Sequence, residues 1–159
     1  MHSETIDYLD GDVQLEAYVT WDDSISGQRP GVMVCHDWTG RRDFATRKAD
    51  EMAAMGYVGF AVDMYGKGVF GTDGDIEGNS ALMGPLAGDR AALRDRMQAA
   101  LNRIKRLDVI DSSKIGAMGY CFGGMCVLEL ARAGADVGGV ISIHGIFTPG
   151  DVPNADITA

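Results

Sequence analysis

Cysteine is scarce in this sequence, with three residues, Cys35, Cys121 and Cys126, among 159. Three thiols cannot build a disulfide framework, and no two of them have the C-x-x-C spacing of a metal or redox pair. Prolines number only four against 46% hydrophobic and 23% charged residues, which is the balance of a globular domain rather than of a low-complexity chain. No apolar run approaches a membrane span. Residues 1–15 carry charges throughout and lack an apolar core segment, so no secretory signal is expected and a reducing cytoplasm is the expected compartment. Basic residues are also short, 14 against 23 acidic, for a net charge of −9. Phosphate binding needs a basic face, so nucleic acid and anionic membranes are not expected partners.

What is plentiful is glycine, 22 residues, which suits a fold with many tight turns and close helix–strand packing. The length fits one domain, expected to span 1–159. Two alternating runs, 5–9 and 13–19, flank Asp10-Gly11-Asp12 and read as a hairpin. Residues 21–30 read as a loop. Val32-Met33-Val34-Cys35 is a short apolar run suited to a strand buried on both faces. A helix is expected over 42–55, stopped by Gly56, and a second buried strand over 57–62. Residues 65–84 are glycine-rich and acidic without a clear period. The strongest helical pattern is 89–107, with Leu93, Met97, Leu101 and Ile104 on one stripe and Arg94, Asp95, Arg96, Asn102 and Arg103 facing outward. Then come a strand (114–119), a helix (122–133) ended by Gly134, a last strand (137–143) and a loop containing Pro149, Gly150, Pro153 and Asn154. A hairpin followed by alternating strands and helices argues for a mostly parallel, three-layer α/β sandwich with helices on both faces. The closing segment from Pro153 to Ala159 resembles the approach to another strand, so the domain is expected to be incomplete at its C-terminus.

The informative segment is Gly119-Tyr120-Cys121-Phe122-Gly123, a G-x-C-x-G elbow between a strand and a helix. A nucleophile on so sharp a turn needs neighbours without a Cβ two positions to either side. Gly124 adds room where the helix meets the sheet. A helix N-terminus favours negative charge, so the turn suits an attacking sulfur. The N–H of Phe122 points where an oxyanion would form. The alternative for Cys121 is a small buried side chain in a glycine-rich turn. Cys35 and Cys126 are expected in the core.

Cys35-His36-Asp37-Trp38-Thr39-Gly40 follows the first buried strand, where a second oxyanion donor is expected; the backbone N–H of Trp38 is the candidate. Asp37 either approaches the thiol or shapes the turn. His36 and His144, the latter ending the last strand, are expected to support the site rather than act as its base. Asp73-Gly-Asp75-Ile-Glu77-Gly78 copies the first half of an EF-hand loop, but Gly84 stands where the bidentate glutamate belongs. A solvated surface loop or lid is expected there, and no metal or cofactor.

The runs Gly31-Val-Met-Val-Cys-His-Asp-Trp-Thr-Gly40, Ala61-Val-Asp-Met-Tyr-Gly66 and Gly119-Tyr-Cys-Phe-Gly-Gly124 resemble, in order and spacing, the dienelactone hydrolase family of the α/β-hydrolase fold, from about Ile6 to Phe147. The resemblance implies a Cys-His-Asp enzyme that opens lactones or cleaves esters through a thioester. Cys121 matches the nucleophile, Trp38 and Phe122 the oxyanion-hole positions, and Asp37 a position that is usually glutamate and contacts the resting thiol. The family's triad aspartate and histidine follow later strands, beyond Ala159. Its substrate-gripping arginine lies in the loop after Tyr65, where 66–84 holds one cation, Lys67. The expected partner is a small ester or lactone; no oligomeric state follows. Two other readings stay open, a non-catalytic fragment and a thiol-based redox protein using Cys121.

Overall fold

A computed structural model describes residues 1–148 and 150–155. Pro149, expected in the closing loop, and residues 156–159, at the end of the segment expected to approach a further strand, lie outside the described residues.

Alternating burial sets up the hairpin. β1 (His2–Asp10) and β2 (Val13–Trp21) pair antiparallel from His2↔Trp21 to Asp10↔Val13, and the turn uses Gly11 at φ +55°. β3 (Arg29–Cys35), β4 (Val58–Val62), β5 (Ile110–Tyr120) and β6 (Gly139–Ile143) are the parallel strands. The sheet order is β1-β2-β4-β3-β5-β6, with β2 joining β4 antiparallel. The mostly parallel sheet expected from the sequence is present.

Period-2 alternation divides the core between the two faces. Val34 and Ala61 pack with Ala45 and Ala49 of α1 (Asp43–Ala54) on one face. Met33 and Cys35 point to the other, against α3 (Arg90–Ile104) and α4 (Phe122–Arg132). The small α1 residues let that helix settle onto β4 at Gly59, where a Cβ would lie 2.7 Å from the Ala49 carbonyl carbon. On α3 the expected stripe of Leu93, Met97, Leu101 and Ile104 is fully buried. Each such side chain contributes roughly 1.5–3 kcal/mol.

Two expectations need correction. Arg94 and Arg96 do not face solvent. Arg94 pairs with Glu129 at 2.9 Å, while Arg96 bonds the Asp10 carboxylate and the Met64 carbonyl, both at 2.6 Å. Their aliphatic stems lie along the core while the charges find partners at its margin. Second, the glycine-rich stretch is not a loop throughout: α2 spans Ile76–Gly88. Glycine and an internal Pro85 weaken the helical pattern, so propensity argues against it. Local anchoring wins. The Asp75 carboxylate accepts the Gly78 N–H at 2.9 Å, and fully buried Asn79 exchanges bonds with both the N–H (3.1 Å) and the carbonyl (2.9 Å) of Thr72. Two carboxylates of the EF-hand-like run are engaged elsewhere, Asp75 on this cap and Asp73 on Arg42 at 2.7 Å.

Candidate active site

The site lies at the carboxyl ends of the parallel strands, where β5 gives way to α4 through one residue. Cys121 has φ +54° and ψ −112° and stands at the N-cap of α4. A non-glycine residue in that region costs of order 1–3 kcal/mol and persists only where its surroundings hold it. They do so here. The Cys121 N–H donates to the Ile143 carbonyl at 3.0 Å, and its own carbonyl accepts the Gly124 N–H at 3.0 Å. The strained turn expected between strand and helix is therefore present, with Cys121 half-buried and Cys35 and Cys126 buried.

The elbow glycines mark close backbone approaches. A Cβ at Gly119 would meet the Gly124 nitrogen at 2.8 Å, and one at Gly124 would meet the Gly145 Cα at 2.6 Å. At Gly123 it would lie 2.5 Å from the His36 carbonyl oxygen and 2.7 Å from the Cys35 carbonyl carbon. Gly123 is thus the point where α4 touches the end of β3. That contact brings the turn carrying Trp38 beside the turn carrying Cys121.

The β3 turn is closely bonded. Oδ1 of Asp37 accepts the Thr39 N–H at 2.8 Å and its hydroxyl at 2.6 Å, an Asx turn that leaves Asp37 shaping the loop. His36 is fully buried and uses both ring nitrogens. Nε2 accepts the Met64 N–H at 3.2 Å, which puts the ring proton on Nδ1, donating to the Asp37 carbonyl at 2.5 Å. His144 follows β6 at φ +41°, exposed, next along the chain from the carbonyl that holds Cys121. Lys67, the one cation of 66–84, is held by Asp7 at 2.8 Å and Glu16 at 3.4 Å.

Burial pushes the His36 pKa below its ordinary 6.5, so the folded chain keeps it neutral. The unfolded chain protonates near 6.5. Stability from this group is complete above that value and is lost as pH falls toward the folded pKa. Thermal unfolding between about pH 7.5 and about pH 5 should show the midpoint falling, with a shallower fall in His36→Gln. Equal slopes would show that His36 contributes nothing to acid lability.

Sequence reasoning missed the residues that hold the end of β4. Asp63 is 1% exposed; its Oδ1 accepts the N–H groups of Tyr65 and Gly66 at 3.0 Å each, and its Oδ2 accepts the Glu16 N–H at 3.1 Å. The Tyr8 hydroxyl donates to the Asp63 carbonyl at 2.8 Å. Tyr65 lies over the elbow, its ring stacked on Phe122 with centroids 5.8 Å apart and edge-on to His36 at 4.9 Å, its hydroxyl donating to the Trp38 carbonyl at 3.0 Å. The signal was an aspartate at a strand end with a glycine three residues on, an Asx-turn pattern; Gly66 takes φ +131°. Among the described residues no group of three histidine, cysteine or carboxylate side chains could hold a metal ion, and no helix is long and apolar enough to cross a membrane.

A mostly parallel sheet with helices on both faces and a strained strand-to-helix elbow at its carboxyl edge defines the α/β-hydrolase class. Residues 15–159 match the dienelactone hydrolase family, and the chain belongs to that family. It is similar to the solved structure of m3DLH, with 36% identity and a TM-score of 0.88 over 93% of this chain and 61% of that one. It is also similar to a dienelactone hydrolase-like promiscuous phosphotriesterase from metagenomic libraries, with 36% identity and a TM-score of 0.85 over 91% of this chain and 59% of that one. A 58-residue stretch is 47% identical to an uncharacterized protein of Caenorhabditis elegans, covering 36% of this chain and 37% of that protein. The chain spans about three-fifths of the length of the two solved relatives.

Proposed function

We propose that this chain carries the nucleophilic half of a carboxylic ester or lactone hydrolase acting on small molecules. The Cys121 thiol gives up its proton to water, its sulfur attacks the carbonyl carbon, and the carbonyl π electrons move onto oxygen, which the N–H groups of Trp38 and Phe122 receive. Collapse expels the alkoxide or phenolate and leaves the acyl group on sulfur as a thioester. Asp37 shapes the turn that presents Trp38, and His144 stands beside the elbow as a supporting group. The strained backbone of Cys121 at the N-terminus of α4 carries this reading, because its cost is hard to explain for a side chain that only fills space.

Acylation and hydrolysis of the thioester make different demands. An activated ester such as p-nitrophenyl acetate has a leaving group that departs without a proton, so acylation needs the sulfur and the hole alone. Hydrolysis needs an activated water, and both nitrogens of His36 are already engaged. The expected result is a burst of nitrophenolate of at most one equivalent per chain, then slow release, with the burst lost in Cys121→Ala. A burst that survives Cys121→Ala would refute the nucleophile. Sustained turnover abolished by His144→Ala would make His144 the base.

A further inference from the structure

We propose that Tyr65, braced by His36, is the positioning residue that aims the Trp38 amide and holds the Phe122 turn against it; this rests on the reading of Trp38 and Phe122 as oxyanion donors.

Peptide geometry carries the inference. The Trp38 N–H and the Asp37 carbonyl are the two ends of one planar trans peptide and point in opposite directions. The His36 Nδ1–H holds that carbonyl at 2.5 Å, so it fixes the direction of the Trp38 N–H on the far side of the plane. The next peptide is held as well. Its carbonyl, that of Trp38, accepts the Tyr65 hydroxyl at 3.0 Å, and its N–H, that of Thr39, donates to Asp37 Oδ1 at 2.8 Å. Both planes flanking the Trp38 Cα are thereby clamped, leaving φ and ψ of Trp38 little freedom.

The same tyrosine reaches the other donor. Its ring stacks on Phe122 at an interplanar angle of 20°, and Phe122 is fully buried. One side chain therefore ties the turn after β3 to the first residue of α4. Its own backbone is anchored, since the Tyr65 N–H is bound by Asp63, and the preceding residue, Met64, is gripped at its N–H by His36 and at its carbonyl by Arg96. Burial, with the thiols of Cys126 and Cys35 and the Asp37 carboxylate nearby, pushes the phenol pKa up, so the hydroxyl remains a donor. Oxyanion stabilisation depends on donors fixed before charge develops. A loosened Trp38 amide would lose rate in any step that forms an oxyanion and in no other.

That difference supplies the test. Acylation of Cys121 by p-nitrophenyl acetate passes through an oxyanion, whereas alkylation by iodoacetamide displaces iodide from a saturated carbon and does not. Tyr65→Phe keeps the stacked ring and removes only the hydroxyl. It should slow acylation by about tenfold or more while leaving the alkylation rate of Cys121 within about twofold. An unchanged acylation rate would overturn the positioning role alone. Equal slowing of both reactions would also overturn it, since the hydroxyl would then be acting on the thiol or on the fold. Absence of any Cys121 acylation in the unaltered chain would remove the nucleophile reading and this proposal with it.

Discussion

Replacing Gly123 by alanine should destabilise the chain by about 3 kcal/mol or more, although alanine is the better helix former by about 1 kcal/mol. The added Cβ would lie 2.5 Å from the His36 carbonyl oxygen and 2.7 Å from the Cys35 carbonyl carbon. Both are backbone atoms, that of Cys35 in the last residue of β3, paired with Val62 and Gly119, and that of His36 in the residue next to it, so neither can move aside as a flexible side chain would. Steric cost therefore outweighs helix propensity. Gly84 of α2 supplies the contrast, because a Cβ there meets nothing within 4 Å and the backbone is not left-handed. Gly84→Ala should be neutral or stabilising by up to about 1 kcal/mol. Urea unfolding of the two variants measures the difference. A Gly123→Ala midpoint equal to that of the unaltered chain would show that α4 and β3 are not in the close contact described.

Much of this architecture was legible because its signals are local and periodic. The Asp10-Gly11-Asp12 turn, the apolar run ending at Cys35 and the four-residue stripe on α3 each follow from a single spacing rule, and each stands where expected. The readings that failed involve partners distant in sequence. Arg96 looks like a surface residue until Asp10, at the end of β1, and Met64, in the turn after β4, are brought to it. α2 lacks a helical pattern because its stability comes from a cap and from the Asn79–Thr72 bonds rather than from an apolar stripe.

The site divides along the same line. The strained turn at Cys121 was legible because such a turn demands glycine at fixed offsets, and the backbone angles carry that strain. Asp37 left two readings open; its bonds to Thr39 favour the turn-forming one. Tyr65 was invisible as a site residue because a tyrosine after a strand end carries no periodic signature. Only the folded chain places its hydroxyl on Trp38 and its ring on Phe122.

The second large effect is expected at Cys121 itself. Cys35 and Cys126 are fully buried, and burial together with the neighbouring Cys35 raises the Cys126 thiol well above its ordinary range. An acyl donor should therefore reach one sulfur and pass over the other two. Formation of the thioester should outpace its hydrolysis, so the acylated chain accumulates rather than turning over. The direct measurement is mass spectrometry of the chain quenched with acid shortly after mixing with p-nitrophenyl acetate, followed by peptide mapping. One acetyl group per chain, located on the peptide containing Cys121, removed by hydroxylamine and missing from Cys121→Ala, is the predicted result. An acetyl group spread over lysines, or one that persists in Cys121→Ala, would contradict the assignment of Cys121 as the nucleophile.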